Sequence, residues 1–228
     1  MATISTPSPT PAIALPADWS VADLQEHLGG IPLERIRLFP PPGMATERDV
    51  LALLDREKRI CELIDRVLVE KTMGYYESCV ASLIIMYLGE FQRQHDLGII
   101  LGEAGTLRVL PDQVRVPDVS FIRWERFPDR KLPREPIPSL APDLAVEVLS
   151  QGNTPQEMQR KLDDYFAAGV RLVWYIDADA QTATAHTAAD QAIAVDTDGV
   201  LDGGDVLPGF KLPLKELFER VDRSGPRP

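Results

Sequence analysis

Cysteine is nearly absent: Cys61 and Cys79 are the whole complement, both in apolar-periodic contexts. Two such residues exclude a disulfide framework, and without a CxxC spacing they exclude a thiolate zinc site; the usage fits a reducing, cytoplasmic setting. Histidine is as sparse. His27, His95 and His186 have no metal-ligand spacing, so no zinc centre is expected. No apolar run approaches about 20 residues, so no membrane span is expected. The first residues, MATISTPSPTPAIALPADW, lack a basic segment and a long apolar stretch, and no signal peptide is expected. There is no GxSxG, no GxxxxGK[ST] and no GxGxxG. Positive charge is also in deficit, with 24 Lys and Arg against 35 Asp and Glu and a formal net charge of -11. That disfavours nonspecific attraction to nucleic acid, though it leaves room for a local basic surface or a metal-bridged phosphate.

What is present is organised around residues 141–177, APDLAVEVLSQGNTPQEMQRKLDDYFAAGVRLVWYID. The pattern predicts a buried strand from Leu144 to Leu149, a helix over about Thr154 to Ala168 and a second buried strand from Arg171 to Ile176. Such a βαβ unit normally sets its two strands parallel. Thr154 is placed as N-cap, Pro155 at the first helical position and Glu157 at the capping-box position, and Gly169 closes the helix. Glu147 is the anomaly. Strand alternation puts Leu144, Val146 and Val148 on one face and Asp143, Ala145, Glu147 and Leu149 on the other. A glutamate mid-strand between valines needs a metal, a lysine or water. Asp143 lies ~13 Å along the strand at ~3.3 Å per residue, too far to share a ligand with it. Lys161, on the margin of the helical stripe Met158, Leu162, Tyr165 and Phe166, could reach back to Glu147. The bland readings are a lysine snorkelling over that stripe, and core aromatics at Tyr165, Trp174 and Tyr175.

Along the chain, residues 1–15 read as a flexible tail and 16–59 as a helical arm, with helices from Ser20 and Thr46 joined by Pro40-Pro41-Pro42-Gly43. The main domain is placed at 60–220, with 221–228 as a second tail. Cys61 to Glu70 reads as a hairpin turning at Asp65-Arg66. A long helix over about Tyr76 to His95 carries Glu77 at its N-terminal end, where the helix dipole favours a carboxylate. Short strands follow at Ile99–Leu101, Leu107–Leu110 and Val114–Ile122. Asp118, after Pro117, stands near the start of an apolar strand or is simply a turn acid. Residues 123–140 form a Pro- and Arg-rich loop, the most basic patch, with Trp124 and Phe127 interleaved; solvated loop is the default and a substrate-facing loop the alternative. An edge hairpin (Thr182–Thr187, Ala192–Asp196), a last strand and a short helix close the domain.

Acidic oxygens from separate elements suit Mg²⁺ or Mn²⁺. Beside them a lysine could orient or deprotonate a water, with the metal stabilising charge on phosphorus.

At these residues the chain resembles the Uma-two family of restriction endonucleases, a branch of the PD-(D/E)XK nuclease superfamily. The resemblance is carried in order by RVPDVSFI, APDLAVEVLS, KLDDYFAAGVRLVWYID and DVLPGFKLPLKELF, from about Ile60 to Phe218. It implies a restriction-endonuclease-like α/β fold, a mixed central sheet flanked by helices in αβββαβ order. It implies Asp118 and Glu147 as the motif's first and second acids, Glu77 as an additional metal acid, Mg²⁺ or Mn²⁺ as cofactor and DNA as substrate. The motif's lysine should stand two residues after Glu147, where this chain has Leu149, and Lys161 is the nearby replacement. Asp65-Arg66 departs from the family's usual Asp-Gly turn. A homodimer, or recruitment by another protein, could present the Arg-rich loop to a DNA backbone. The rival readings are a nuclease fold that no longer cleaves and serves binding or assembly, and a hydrolase of another phosphate ester.

Overall fold

Ser20 caps the first helix, α1 (Val21–His27), in a reciprocal box with Asp23, and Gly29 and Gly30 at positive φ follow its end. The computed structural model describes residues 15–16, 18–72 and 74–222. Residues 1–14 of the expected N-terminal tail and 223–228 of the C-terminal one lie outside these. Strand β1 (Ile36–Arg37) comes next, so the arm is not wholly helical. Thr46 starts α2 (Glu47–Glu57), its N–H and hydroxyl both donating to Asp49. Strands β2 (Cys61–Ile64) and β3 (Val67–Glu70) make the expected hairpin. Both turn residues, Asp65 and Arg66, take positive φ, the geometry that matches strand twist in a two-residue loop, so Asp-Arg does the work of Asp-Gly. Helix α3 (Tyr75–His95) leads into β4 (Gly98–Gly102), β5 (Leu107–Leu110), β6 (Gln113–Arg115) and β7 (Val119–Arg123). The central unit is β8 (Leu144–Leu149), α4 (Pro155–Ala167) and β9 (Leu172–Asp177). The hairpin β10 (Thr182–Ala188) and β11 (Gln191–Val195), the pair β12 (Val200–Asp202) and β13 (Lys211–Pro213), and α5 (Leu214–Val221) complete the fold.

These elements build a six-stranded sheet in the order β11-β10-β9-β8-β7-β4. Its β8–β9 pair is parallel, as a crossover helix requires, and its other pairs are antiparallel. Taken as α3-β4-β7-β8-α4-β9, the succession is the expected αβββαβ, with β5 and β6 inserted. Alternation along β8 sorts the layers. Leu144, Val146 and Val148 pack with Val80, Ile84 and Leu88 of α3, while Ala145 packs with Met158, Leu162 and Tyr165 of α4.

Two further sequence expectations need correction. Val114–Ile122 is not one strand. β6 belongs to a second, five-stranded sheet (β1-β3-β2-β6-β5) and β7 to the first, and the chain changes sheets at Val116-Pro117-Asp118. Proline has no N–H to give a ladder, so pairing stops there and Asp118 lands at the transfer point. The capping box on α4 is also only half made. Thr154 accepts from the Glu157 N–H, but the Glu157 carboxylate is drawn away by Arg35 of the arm, which offers a paired, charged partner.

Candidate active site

Glu147 lies on the face of β8 that looks at α4. Lys161 and Tyr165, one helical turn apart, both reach it. The Lys161 Nζ is 3.1 Å from Glu147 Oε2, and the Tyr165 hydroxyl donates to Oε1 at 2.5 Å. Tyr165 is thus a core aromatic with its polar end in the site. Asp118 reaches the same place from the sheet transfer, its Oδ2 accepting from the Val148 N–H at 2.6 Å. Asp118, Glu147 and Lys161 are each only 3% exposed.

A second lysine joins the two acids. Lys71, directly after β3, places its Nζ 2.7 Å from Asp118 Oδ1 and 3.6 Å from Glu147 Oε2, and donates to the Val116 carbonyl. Nothing in the local pattern marked it, because a lysine just past a strand end is ordinarily a solvated one. Glu62 of β2 was also missed, although it is a charge inside a short hairpin strand whose four residues are all buried. Its Oε1 is 3.3 Å from Lys161 Nζ and accepts from the Val116 N–H, and its Oε2 accepts from Arg115 at 2.8 Å. Arg115 binds Asp164 in turn, and Arg35 grips Glu157 with two N–H groups. Asp118, Glu147, Glu62, Glu157 and Asp164 thus face Lys71, Lys161, Arg115 and Arg35, five carboxylates against four cations.

The network sets protonation. Burial would raise Glu62, but Lys161, Arg115 and Lys71 outweigh it and hold its carboxyl down to about 2. Burial would lower Lys161, yet Glu147, Glu62 and Glu157 raise it above the ordinary lysine range. Asp118 is pushed up, by burial first and then by Glu147, with Lys71 opposing. Tyr165 is pushed well up by burial and by Glu147 and Glu62, so it remains a hydrogen-bond donor.

The remaining candidates lie elsewhere. The Glu77 carboxylate folds back against Gly74 at the start of α3, and among the described residues no group of three acids, histidines or cysteines is arranged to hold a metal. Asp143 serves the scaffold, accepting from the Arg123 N–H at 2.8 Å and pairing with Arg126 at 3.1 Å. In the basic loop, Arg123 pairs with Glu125 and Arg130 with Asp96 while lying over the Trp124 ring; Phe127 is core. Much of that loop's charge is therefore spent on the protein's own acids.

The donor set suits a hard divalent cation. Two carboxylates and the Val116 carbonyl converge on one point, and Asp118 Oδ1 is a buried oxygen that accepts no well-directed hydrogen bond. Mg²⁺ takes one or two carboxylates and completes its shell with water, which matches what is offered.

A mixed sheet with this αβββαβ succession, and with acids meeting where β7 and β8 lie side by side, is a restriction-endonuclease-like fold. The chain belongs to the Uma2 family, described as "Putative restriction endonuclease", which matches residues 48–215. A similar solved structure is that of "a putative nuclease belonging to DUF820 from Anabaena variabilis ATCC 29413". It shares 21% identity and a TM-score of 0.64, with 72% of this chain and 92% of that one covered. No curated protein matches.

Proposed function

We propose that this chain is a Mg²⁺- or Mn²⁺-dependent endonuclease that hydrolyses phosphodiester bonds of DNA, with Asp118 and Glu147 as the metal acids. The observation that carries this reading is the convergence of Asp118, from the transfer between sheets, and Glu147, from β8, on a single ammonium, with a second lysine, Lys161, 3.1 Å from Glu147. When bound, the cation supplies Lewis-acid polarisation of the phosphodiester and activation of water. The chain's own groups do the rest. Lys161, held firmly protonated, acts as a fixed positive charge that orients Glu147 and does not take up a proton. The Tyr165 hydroxyl fixes the other Glu147 oxygen, so the carboxylate cannot rotate away. The Val148 N–H holds Asp118 in the same manner. With a net charge of -11, contact with a DNA backbone calls for a second copy of the chain or a recruiting protein to add basic surface.

A second reading, a nuclease fold kept as a binding or assembly module, is favoured by the burial and complete ion pairing of the same side chains. Supercoiled plasmid with Mn²⁺ separates the two. The endonuclease reading expects nicked or linear product from the wild type and at least a hundredfold less from Glu147→Gln. Equal traces from both proteins would leave only the module.

A further inference from the structure

Lys71 has a place in the site that the proposed chemistry does not use. Its ammonium sits among three oxygens: Asp118 Oδ1 at 2.7 Å, Glu147 Oε2 at 3.6 Å and the Val116 carbonyl, to which it donates. These are the oxygens a divalent cation would take. An ammonium keeps about 2.8 Å from each oxygen partner and Mg²⁺ about 2.1 Å, so the two cannot share that point. Lys71 and Lys161, the latter shared with Glu62, already offset much of the charge on Asp118 and Glu147. A divalent ion then finds little net attraction. The lysine also carries its charge on a long stem of rotatable bonds. Its own N–H is fixed to the Ile60 carbonyl at 2.9 Å, which extends the β2–β3 pairing by one step. Beyond that anchor runs a flexible four-carbon stem, and the next residue, Thr72, is exposed.

We propose that Lys71 is an internal cation that occupies the metal seat, so that Lys71 and the divalent ion displace one another. This inference rests on the metal reading above. It makes the lysine the element that sets the threshold for metal entry, and it gives the acids a partner whenever the metal is away. On entry of the metal the freed ammonium moves to the solvent side, where an anionic substrate arrives.

Mn²⁺ binding by titration calorimetry tests it in wild type, Lys71→Met and Asp118→Asn. Competition expects Lys71→Met to lower the Kd at least tenfold and Asp118→Asn to abolish binding. Wild-type binding that Lys71→Met leaves unchanged or weakens overturns the competition alone and leaves the metal reading standing. Absence of binding in all three proteins overturns both. Should Lys71→Met fail to fold, amine acetylation of the wild type read by mass spectrometry decides. Lys71 should be protected without metal and label several-fold faster with saturating Mg²⁺, and unchanged protection at saturation overturns the proposal.

Discussion

Lys161 is the side chain on which two buried carboxylates depend, Glu147 and Glu62. Removing one partner of a buried pair leaves a charge in a poor solvent, so Lys161→Met should cost about 3–5 kcal/mol in urea unfolding. Restoring the original charge balance with Lys161→Met/Glu62→Gln should return part of that loss, because one stranded charge goes with it. The acid side of the pH profile follows from Glu62. Its folded carboxyl is held at about 2 against an ordinary value of 4.5, so its stabilising contribution is complete above 4.5 and drains away as pH falls toward 2. Asp118 has the opposite sign: its raised value means the folded state takes a proton first, so acidification relieves a cost there. Equilibrium unfolding between pH 5 and pH 2.5 should therefore show a decline that is shallower in Glu62→Gln than in wild type.

Among elements, the arm acts through a clasp. Arg35 donates to the Glu70 carbonyl at the end of β3, to the Gly152 carbonyl in the turn before α4, and to Glu157 on α4 itself. One guanidinium thereby fixes three pieces of chain around the site, and Glu157 lies one turn before Lys161. Arg35→Ala should cost about 3–5 kcal/mol through the stranded Glu157. It should also speed amide exchange at residues 150–153, which hydrogen-exchange mass spectrometry would resolve. The same junction needs Gly29. Its φ is +87°, and a Cβ there would stand 2.7 Å from the Glu157 nitrogen. Gly29→Ala should lose more than ~1 kcal/mol, read as a lower denaturant midpoint. A substitution at Gly30, also at positive φ but with nothing within 4 Å of its added Cβ, should cost less.

For the whole molecule, the family match begins at residue 48 but the core does not. Leu24, Leu28, Ile31 and Ile36 pack with Ile64, Val67 and Val69, and Ala45 and Val50 pack with Cys61, Leu63 and Val114. The arm also supplies β1, which covers the outer edge of β3. Deleting residues 1–46 would expose these apolar side chains and that edge together. A chain beginning at Glu47 should melt well below the intact protein and bind a hydrophobic dye before heating; a melt equal to the intact chain's would show that the arm is an independent appendage.

The sequence by itself determined the central βαβ unit, since residues 141–177 carry period-two and period-3.6 patterns, a cap and a closing glycine, and these are local signals. It also singled out Glu147, because a charge in an apolar strand is visible without a structure, and Lys161, because its place on the α4 stripe limits where it can reach. Only the tertiary structure decided that Lys71, Glu62 and Arg115 join them. Their approach depends on pairing register between β2, β3 and β6 and on the transfer between sheets at Pro117. Contacts between distant stretches of chain leave no periodic trace in either one. Glu77 shows the reverse: a helix position can be read locally, but the way its carboxylate turns is set by the space around Gly74.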